Sequence, residues 1–291
     1  MNIIFTIQGG LGKSIMATAV CQAIKKKYPQ GNLIVVTGYP EVFTNLNFVD
    51  RVFGFGEEFY FYSKYIENQE VKIFAIDPYN VLEHILGVEH LIQTWVKLYG
   101  LEYDGEMPII SLNAREQLFY LNKYPSDKPI MVIQTHGGAQ QQESKYSWAR
   151  DIPVPIIQGV INEFHKDYNI FHIRREDQFG FDNTIPLTDN FKAISSVISR
   201  SQKRLFMDSF AQHAATCIGL KSTVLWIANK PSVFGYDLHD NIEANPETTK
   251  PDLRNSFLQK YSITGALQEF PYNDETEIFD LDRVIESIMA Q

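Results

Sequence analysis

The sequence is short of cysteine, of positive charge and of long apolar runs, and each shortage excludes something. Two cysteines among 291 residues, Cys21 and Cys217, are too few for a disulfide framework. Both lie in apolar helical contexts and read as buried thiols of a reducing, cytoplasmic protein. The formal net charge of -9 has the wrong sign for a chain that grips nucleic acid along its phosphates, though it leaves room for a local basic site. No run approaches the roughly 20 apolar residues that a membrane span needs. The apolar start is short and carries no basic leader, so no secretory signal is expected. Internal repeats and low-complexity segments are absent as well.

What is present is an alternation of apolar strands with helical patterns. Ile3 to Ile7 reads as a buried strand. After the glycines, Ile15, Met16, Ala19, Val20, Ala23 and Ile24 recur at helical spacing, with Lys25 to Lys27 in the last turn and Pro29 as a stop. "NLIVVTG" and "KIFAID" are further strands, and a helix is expected over about 88–99. Beyond a linker with two prolines the pattern restarts. "PIMVIQTHGG", "NIFHI", "RLFMD" and "STVLWI" are strands; 155–164, a stretch from Phe191, 209–218 and 280–289 are helices, with Gly219 as a C-terminal stop. Such a βαβ series predicts parallel sheets covered by helices. The expected division is a first α/β domain over 1–125 and a second over 126–291, the last helix (about 280–290) packing back on the first.

The first strand runs into Gly9, Gly10, Gly12, Lys13 and Ser14, which invites comparison with a nucleotide-triphosphatase loop. The spacing is wrong: Ile7 stands where such a loop has its first glycine. In the partitioning-ATPase variant Gln8 would have to be lysine. An NTP-hydrolysing switch on Gly9–Ser14 remains a competing reading, with Asp77 at the end of "KIFAID" in the Walker B role.

The second half holds four pieces in order: "VIQTHGGA" with "ESKYSW"; "NIFHIRRED"; "RLFMDSFAQHAATCIGLKSTVLWI"; and "NKPSVFGY". Asp208 and Ser209 precede a helix whose first backbone N–H groups favour an anionic diphosphate. His213 lies four residues after Ser209, on the same side of that helix. Each has a plainer reading. Asp208 or Ser209 is then only an N-cap, His213 a satisfied core histidine, Lys145 a solvated lysine, and His136-Gly137-Gly138 a turn. Arg174 to Asp177 is then a solvated charge run, although it ends a strand, where nucleotide contacts gather.

Together these pieces resemble the heptosyltransferase-like glycosyltransferases, a group of glycosyltransferase family 9 type. The "DSFAQHAATCIGLKSTVLW" segment matches that group's pattern at Asp208, Ser209, His213, Ala214, Ala215 and Gly219; Phe210 replaces a glycine and Ser222 a proline. The resemblance extends to the N-terminal segment through "NFVDRVF". It implies a GT-B fold, two Rossmann-like domains facing each other across a cleft. It also implies inverting transfer of a sugar from a nucleotide-diphosphate donor, with no metal and no cofactor. The donor would meet His136, Gly137, Gly138, Lys145, Arg174, Glu176, Asp208, Ser209, Phe210 and His213. A glycan or small-molecule acceptor would meet Gly9, Gly10, Gly12, Lys13 and Ser14. A helix N-terminus, His213 and a lysine would stabilise the departing diphosphate without a metal, and no Asp-x-Asp sits at a strand end.

One residue departs from the group. Where the group has Gly-Asp, its aspartate taken to deprotonate the acceptor, this chain has Lys13. A lysine there is normally protonated and meets an unfavourable helix dipole unless an anion sits nearby. Either Lys13 binds an anionic group while another base such as Asp77 or His84 acts, or the chain has lost the transfer chemistry and binds nucleotide-sugar silently. Asp77 has its own plain reading as the residue that starts a turn before Pro78.

Overall fold

A computed structural model describes residues 1–137, 150–227, 229–248 and 274–291. The chain separates into two compact units, residues 1–84 with 89–111 and residues 85–88 with 112–291. Among the described residues no helix is long and apolar enough to cross a membrane.

In the first unit, β1 (Asn2–Ile7) leads into α1 (Leu11–Lys27), β2 (Asn32–Thr37), β3 (Arg51–Gly54), α2 (Phe61–Tyr65) and β4 (Val71–Phe74). Two short helices follow, α3 (Leu82–Ile85) and α4 (Leu91–Leu98). The strands form one sheet in the order β3-β2-β1-β4, every pair parallel. β1 is central and apolar on both faces, as a strand covered by helices must be; Ile3, Phe5 and Ile7 are at most 1% exposed. Helix α1 carries Ile15, Met16, Val20 and Ile24 against that sheet, all buried. Trp95 of α4 meets Phe5 edge-on, ring centroids 5.4 Å apart.

In the second unit, α5 (Ala114–Lys123) precedes β5 (Ile130–Gln134), α6 (Val154–Phe164), β6 (Asn169–Ile173), β7 (Ile185–Leu187) and α7 (Phe191–Ile198). Then come β8 (Lys203–Met207), α8 (Phe210–Ile218), β9 (Thr223–Trp226), α9 (Pro231–Phe234), β10 (Asp240–Glu243) and α10 (Leu281–Met289). The sheet order is β10-β9-β8-β5-β6-β7, again all parallel. Read from the other edge, that is the order of a doubly wound dinucleotide fold, starting in the middle and winding outward both ways. Gly219 closes α8 in the left-handed conformation, φ 76°, as its position after an apolar helical run predicts.

Two expectations differ from this packing. Helix α5, left with the first domain by a division at residue 125, packs against α7 of the second unit. There Lys123 Nζ and the Tyr124 hydroxyl both donate to Asp189 Oδ2, at 2.6 and 2.5 Å. Helix α10, expected to return to the first domain, packs on α6, β8 and β9 of its own unit. Its Val284 and Ile288 are fully buried, and Leu281 sits so close over α6 that a Cβ at Gly159 would lie 2.5 Å from its Cδ2. An apolar stripe packs on the nearest open sheet face, and the sequence spacing of such a stripe does not name which sheet that is.

Candidate functional site

Open parallel sheets gather ligands where the strand order reverses, beyond the carboxyl ends of the two strands that flank the reversal. The first sheet reverses between β1 and β4, the second between β5 and β8. The candidate residues sort onto these two points.

At the first, β1 delivers the glycine loop and β4 delivers Asp77. Gly9 has φ 109°, a conformation that a side chain strains against. A Cβ there would also stand 3.0 Å from Lys13 Cδ. Gly10 occupies the N-cap of α1 without a side-chain cap, and Gly12 lies inside its first turn. Lys13 Nζ donates to Asp77 Oδ2 at 2.6 Å, with the lysine side chain 3% exposed and the aspartate 29%. The same ammonium lies 4.2 Å from the Tyr79 ring centroid and 5.4 Å from that of Trp95. Asp77 Oδ1 accepts the Tyr79 backbone N–H at 2.9 Å. One carboxylate therefore starts the turn with one oxygen and pairs with the buried cation through the other. Burial pushes the Lys13 pKa down, while Asp77 opposes it. Burial lowers His84 as well, with Asp77 opposing and Lys13 adding to the fall; the His84 ring stacks on Tyr79 at 4.7 Å. Ser14 is fully buried, its hydroxyl 3.3 Å from Thr37 Oγ1, so it forms the floor of the loop rather than its surface. A phosphate-gripping loop needs its lysine to reach the phosphates. Here the ammonium is held by a carboxylate and two aromatic faces.

At the second point, β5 delivers Gln134, Thr135, His136 and Gly137, and β8 delivers Asp208 and Ser209 to the N-terminus of α8. Neither Asp208 nor Ser209 caps that helix. Ser209 sits at the N-cap with no side-chain cap bond. Its hydroxyl instead accepts from Gln134 Nε2 at 3.0 Å, and Gln134 Oε1 accepts the Ala211 N–H at 3.3 Å. Asp208, 7% exposed, accepts from Asn229 Nδ2 and lies 3.8 Å from Arg150 Nε. His213 is 3% exposed and its Nδ1 lies 2.8 Å from the Tyr236 hydroxyl, so it is anchored in the core behind α8. Phe210 is half-buried at the first position of the helix. A Cβ on Gly137 would stand 2.7 Å from Met207 Cε, and its N–H donates to Asp151 Oδ1 at 3.0 Å. At the end of β6, Arg174 is half-buried and donates to the Arg175 and Gln178 carbonyls, each at 3.2 Å; Glu176 is exposed. Gly138 and Lys145 lie outside the described residues.

Gln134, Thr135, Asn229, Arg150 and Tyr236 escaped the sequence reading. Gln134 did carry a signal, as a polar residue closing the otherwise apolar strand "IMVIQ".

The second unit also buries neutral histidines. His136 is lowered to about 4, by burial first and then by Arg174 and Arg175. His172 is lowered to about 3, by burial, then by His136 and Arg174. His239, whose Nε2 faces the Gln212 carbonyl at 3.1 Å, is lowered to about 4 by burial, against that hydrogen bond and with Arg204 adding. Unfolded, each titrates near 6.5. Between about pH 6.5 and 4 the unfolded chain therefore binds more protons than the folded one, and stability falls as pH falls. The thermal midpoint is expected to hold above pH 7 and to drop steeply from pH 6 to 4, at up to about 1.4 kcal/mol per pH unit for each histidine. His239→Gln should flatten that drop; an unchanged profile in calorimetry would refute the assignment.

No protein-family model matches this sequence, and no curated protein sequence matches it either. Solved structures do. The glycosyl transferase family 9 structure from Veillonella parvula is 12% identical, with a TM-score of 0.67 over 99% of this chain and 96% of that one. The ADP-heptose heptosyltransferase II of E. coli is also 12% identical, TM-score 0.67, over 100% and 98%. The E. coli heptosyltransferase WaaC, solved with ADP, is 11% identical, TM-score 0.58, over 84% and 94%. At such identities the likeness shows the fold: the chain has the α/β fold of the GT-B glycosyltransferases.

Proposed function

We propose that the chain is a glycosyltransferase, moving a sugar from a nucleoside-diphosphate sugar to a glycan or small-molecule acceptor. The observation that carries this is the sorting of the candidate residues onto two strand-order reversals in a GT-B fold. The second unit takes the donor: the N-terminus of α8 offers backbone N–H groups and a favourable dipole to the diphosphate, with Asp208, Ser209 and His136 around it. WaaC, solved with ADP, is the structural parallel. The first unit takes the acceptor, and Asp77 is the base that Lys13 cannot be. In the step, the acceptor hydroxyl oxygen attacks the anomeric carbon from the face opposite the diphosphate, and its proton passes to the Asp77 carboxylate. The bond from carbon to diphosphate oxygen breaks, and the electron pair leaves with the diphosphate. That is inversion, and the charge is met by α8 rather than by a metal ion. Lys13, 2.6 Å from Asp77 Oδ2, keeps that carboxylate aimed.

The test is a thermal-shift and calorimetry panel of nucleoside diphosphates and their sugars, with and without EDTA. Stabilisation by a nucleoside diphosphate, weakened at least about tenfold by Asp208→Ala, a loss of about 1.4 kcal/mol, is the expected outcome. Stabilisation by ATP with magnesium alone would instead favour the NTP switch. Binding with no turnover of any donor across acceptors would favour a silent binder.

A further inference from the structure

The Thr135 hydroxyl lies between two imidazoles. Its Oγ1 is 2.6 Å from His136 Nδ1 and 2.7 Å from His172 Nε2. All three groups are buried, Thr135 and His172 fully and His136 at 7% exposure. A hydroxyl gives one hydrogen and can accept two, and Thr135 Oγ1 has no other hydrogen-bond partner among the described residues, so its hydrogen is paired only where one imidazole nitrogen accepts it and the other donates. Two arrangements satisfy that count. In one, Thr135 donates to His136 Nδ1 and His172 Nε2–H donates to Thr135. In the other, both directions reverse.

His172 Nδ1 decides between them. It is buried and has no hydrogen-bond partner among the described residues. In the first arrangement it is a bare lone pair; in the second it carries a hydrogen with nowhere to go. Buried unpaired N–H groups are the rarer and costlier of the two. The first arrangement wins, and the hydrogen of His136 resides on Nε2. Burial keeps both rings neutral, helped by Arg174 and Arg175 at His136 and by His136 and Arg174 at His172. The His136 backbone is fixed beside the start of α8, because Gln134 Nε2 donates both to its carbonyl at 3.3 Å and to Ser209 Oγ at 3.0 Å.

We propose that His172, through the Thr135 hydroxyl, is a positioning residue that locks His136 as its Nε2–H tautomer. His136 then gives the donor site of the second unit a neutral N–H for a phosphate or ribose oxygen. The ligand half of this rests on the donor reading above; the tautomer half does not.

Long-range proton–nitrogen spectra of the imidazole rings, taken on the full chain at pH 7, read the tautomer directly. The wild type and Thr135→Ser should show His136 as Nε2–H. Thr135→Val removes the bridge at nearly constant volume and should give a mixture or the Nδ1–H form. ADP affinity, by titration calorimetry, should fall about tenfold in Thr135→Val, which is about 1.4 kcal/mol, and stay near wild type in Thr135→Ser. His172→Phe, a second route to the same loss, serves if Thr135→Val does not fold. A wild-type His136 found as Nδ1–H or doubly protonated overturns the proposal. So does an unchanged tautomer in both bridge-breaking variants. If the wild type binds no nucleoside diphosphate, the ligand half falls with the donor reading, and the spectra still decide the relay.

Discussion

Asp77→Asn is expected to lower turnover by roughly 10²–10⁴-fold, the range that a positioned general base supplies. The change keeps the shape of the side chain. The amide oxygen can still accept the Tyr79 N–H that Asp77 Oδ1 accepts at 2.9 Å, so the turn survives. What goes is the negative charge 2.6 Å from the Lys13 ammonium. That ammonium is nearly sealed from solvent, and Asp77 is the group that opposes its burial. Breaking such a pair from one side leaves a buried cation, at a cost of about 3 kcal/mol, the lower end of the range because Asp77 is partly exposed. The Tyr79 and Trp95 faces soften this by about 1 kcal/mol of cation–π attraction. Losses of activity and stability are separable. Replacing both residues, Asp77→Asn with Lys13→Met, removes the stranded charge and should restore most of the stability while leaving turnover at the low level. A single Asp77→Asn variant that turns over at the wild-type rate would remove Asp77 from the chemistry.

Much of the fold is legible in the sequence because the central strands announce themselves. β1, β2, β5, β6, β8 and β9 are apolar runs, since helices cover both faces. The strands missed are β3 ("RVFG"), β7 ("IPL") and β10 ("DNIE"), and all three are sheet edges. An edge strand needs no apolar run, and their burial shows it: β7 buries one residue of three and β10 none of four. Local signals carried over well. Gly219 ends α8, and Lys25 to Lys27 fill the last turn of α1. Long-range pairings did not. The cap of α8 comes from Gln134, 77 residues before the N–H that it accepts, where a sequence reading looks to Asp208 and Ser209. Lys13 stood out as an anomaly, and Asp77 as a carboxylate at a strand end. That they form one ion pair across 64 residues depends on β4 lying beside β1, which strand order alone settles and no local pattern encodes. Sheet order also decides where the candidates gather. Both clusters sit where winding reverses, a property of topology rather than of any motif.

The placement of charge in the first unit makes a second large effect testable. The resemblance to the heptosyltransferase-like group puts a carboxylate where this chain has Lys13, and here the carboxylate stands across the reversal at Asp77. Lys13→Asp alone leaves two carboxylates facing each other, one in the buried place of Lys13 and one partly exposed. A loss of about 3–5 kcal/mol is expected, reduced by about 0.5 kcal/mol because an acid suits the first turn of α1. Asp77→Lys alone crowds two ammonium groups and should cost as much. The double exchange, Lys13→Asp with Asp77→Lys, rebuilds the pair with reversed polarity and a better alignment with the helix dipole. A double-mutant cycle from chemical denaturation should then give a coupling of at least about 2 kcal/mol. Turnover should follow the carboxylate. Asp77→Lys, which has none there, is expected to be nearly inactive, whereas the double exchange should exceed Asp77→Asn by about 10²-fold, because a base again stands beside the glycine turn. Additive single effects on stability would mean that the two charges do not form the pair described. Recovery of stability without any recovery of turnover would mean that the base must approach from the β4 side, and that its position, rather than its presence, sets the rate.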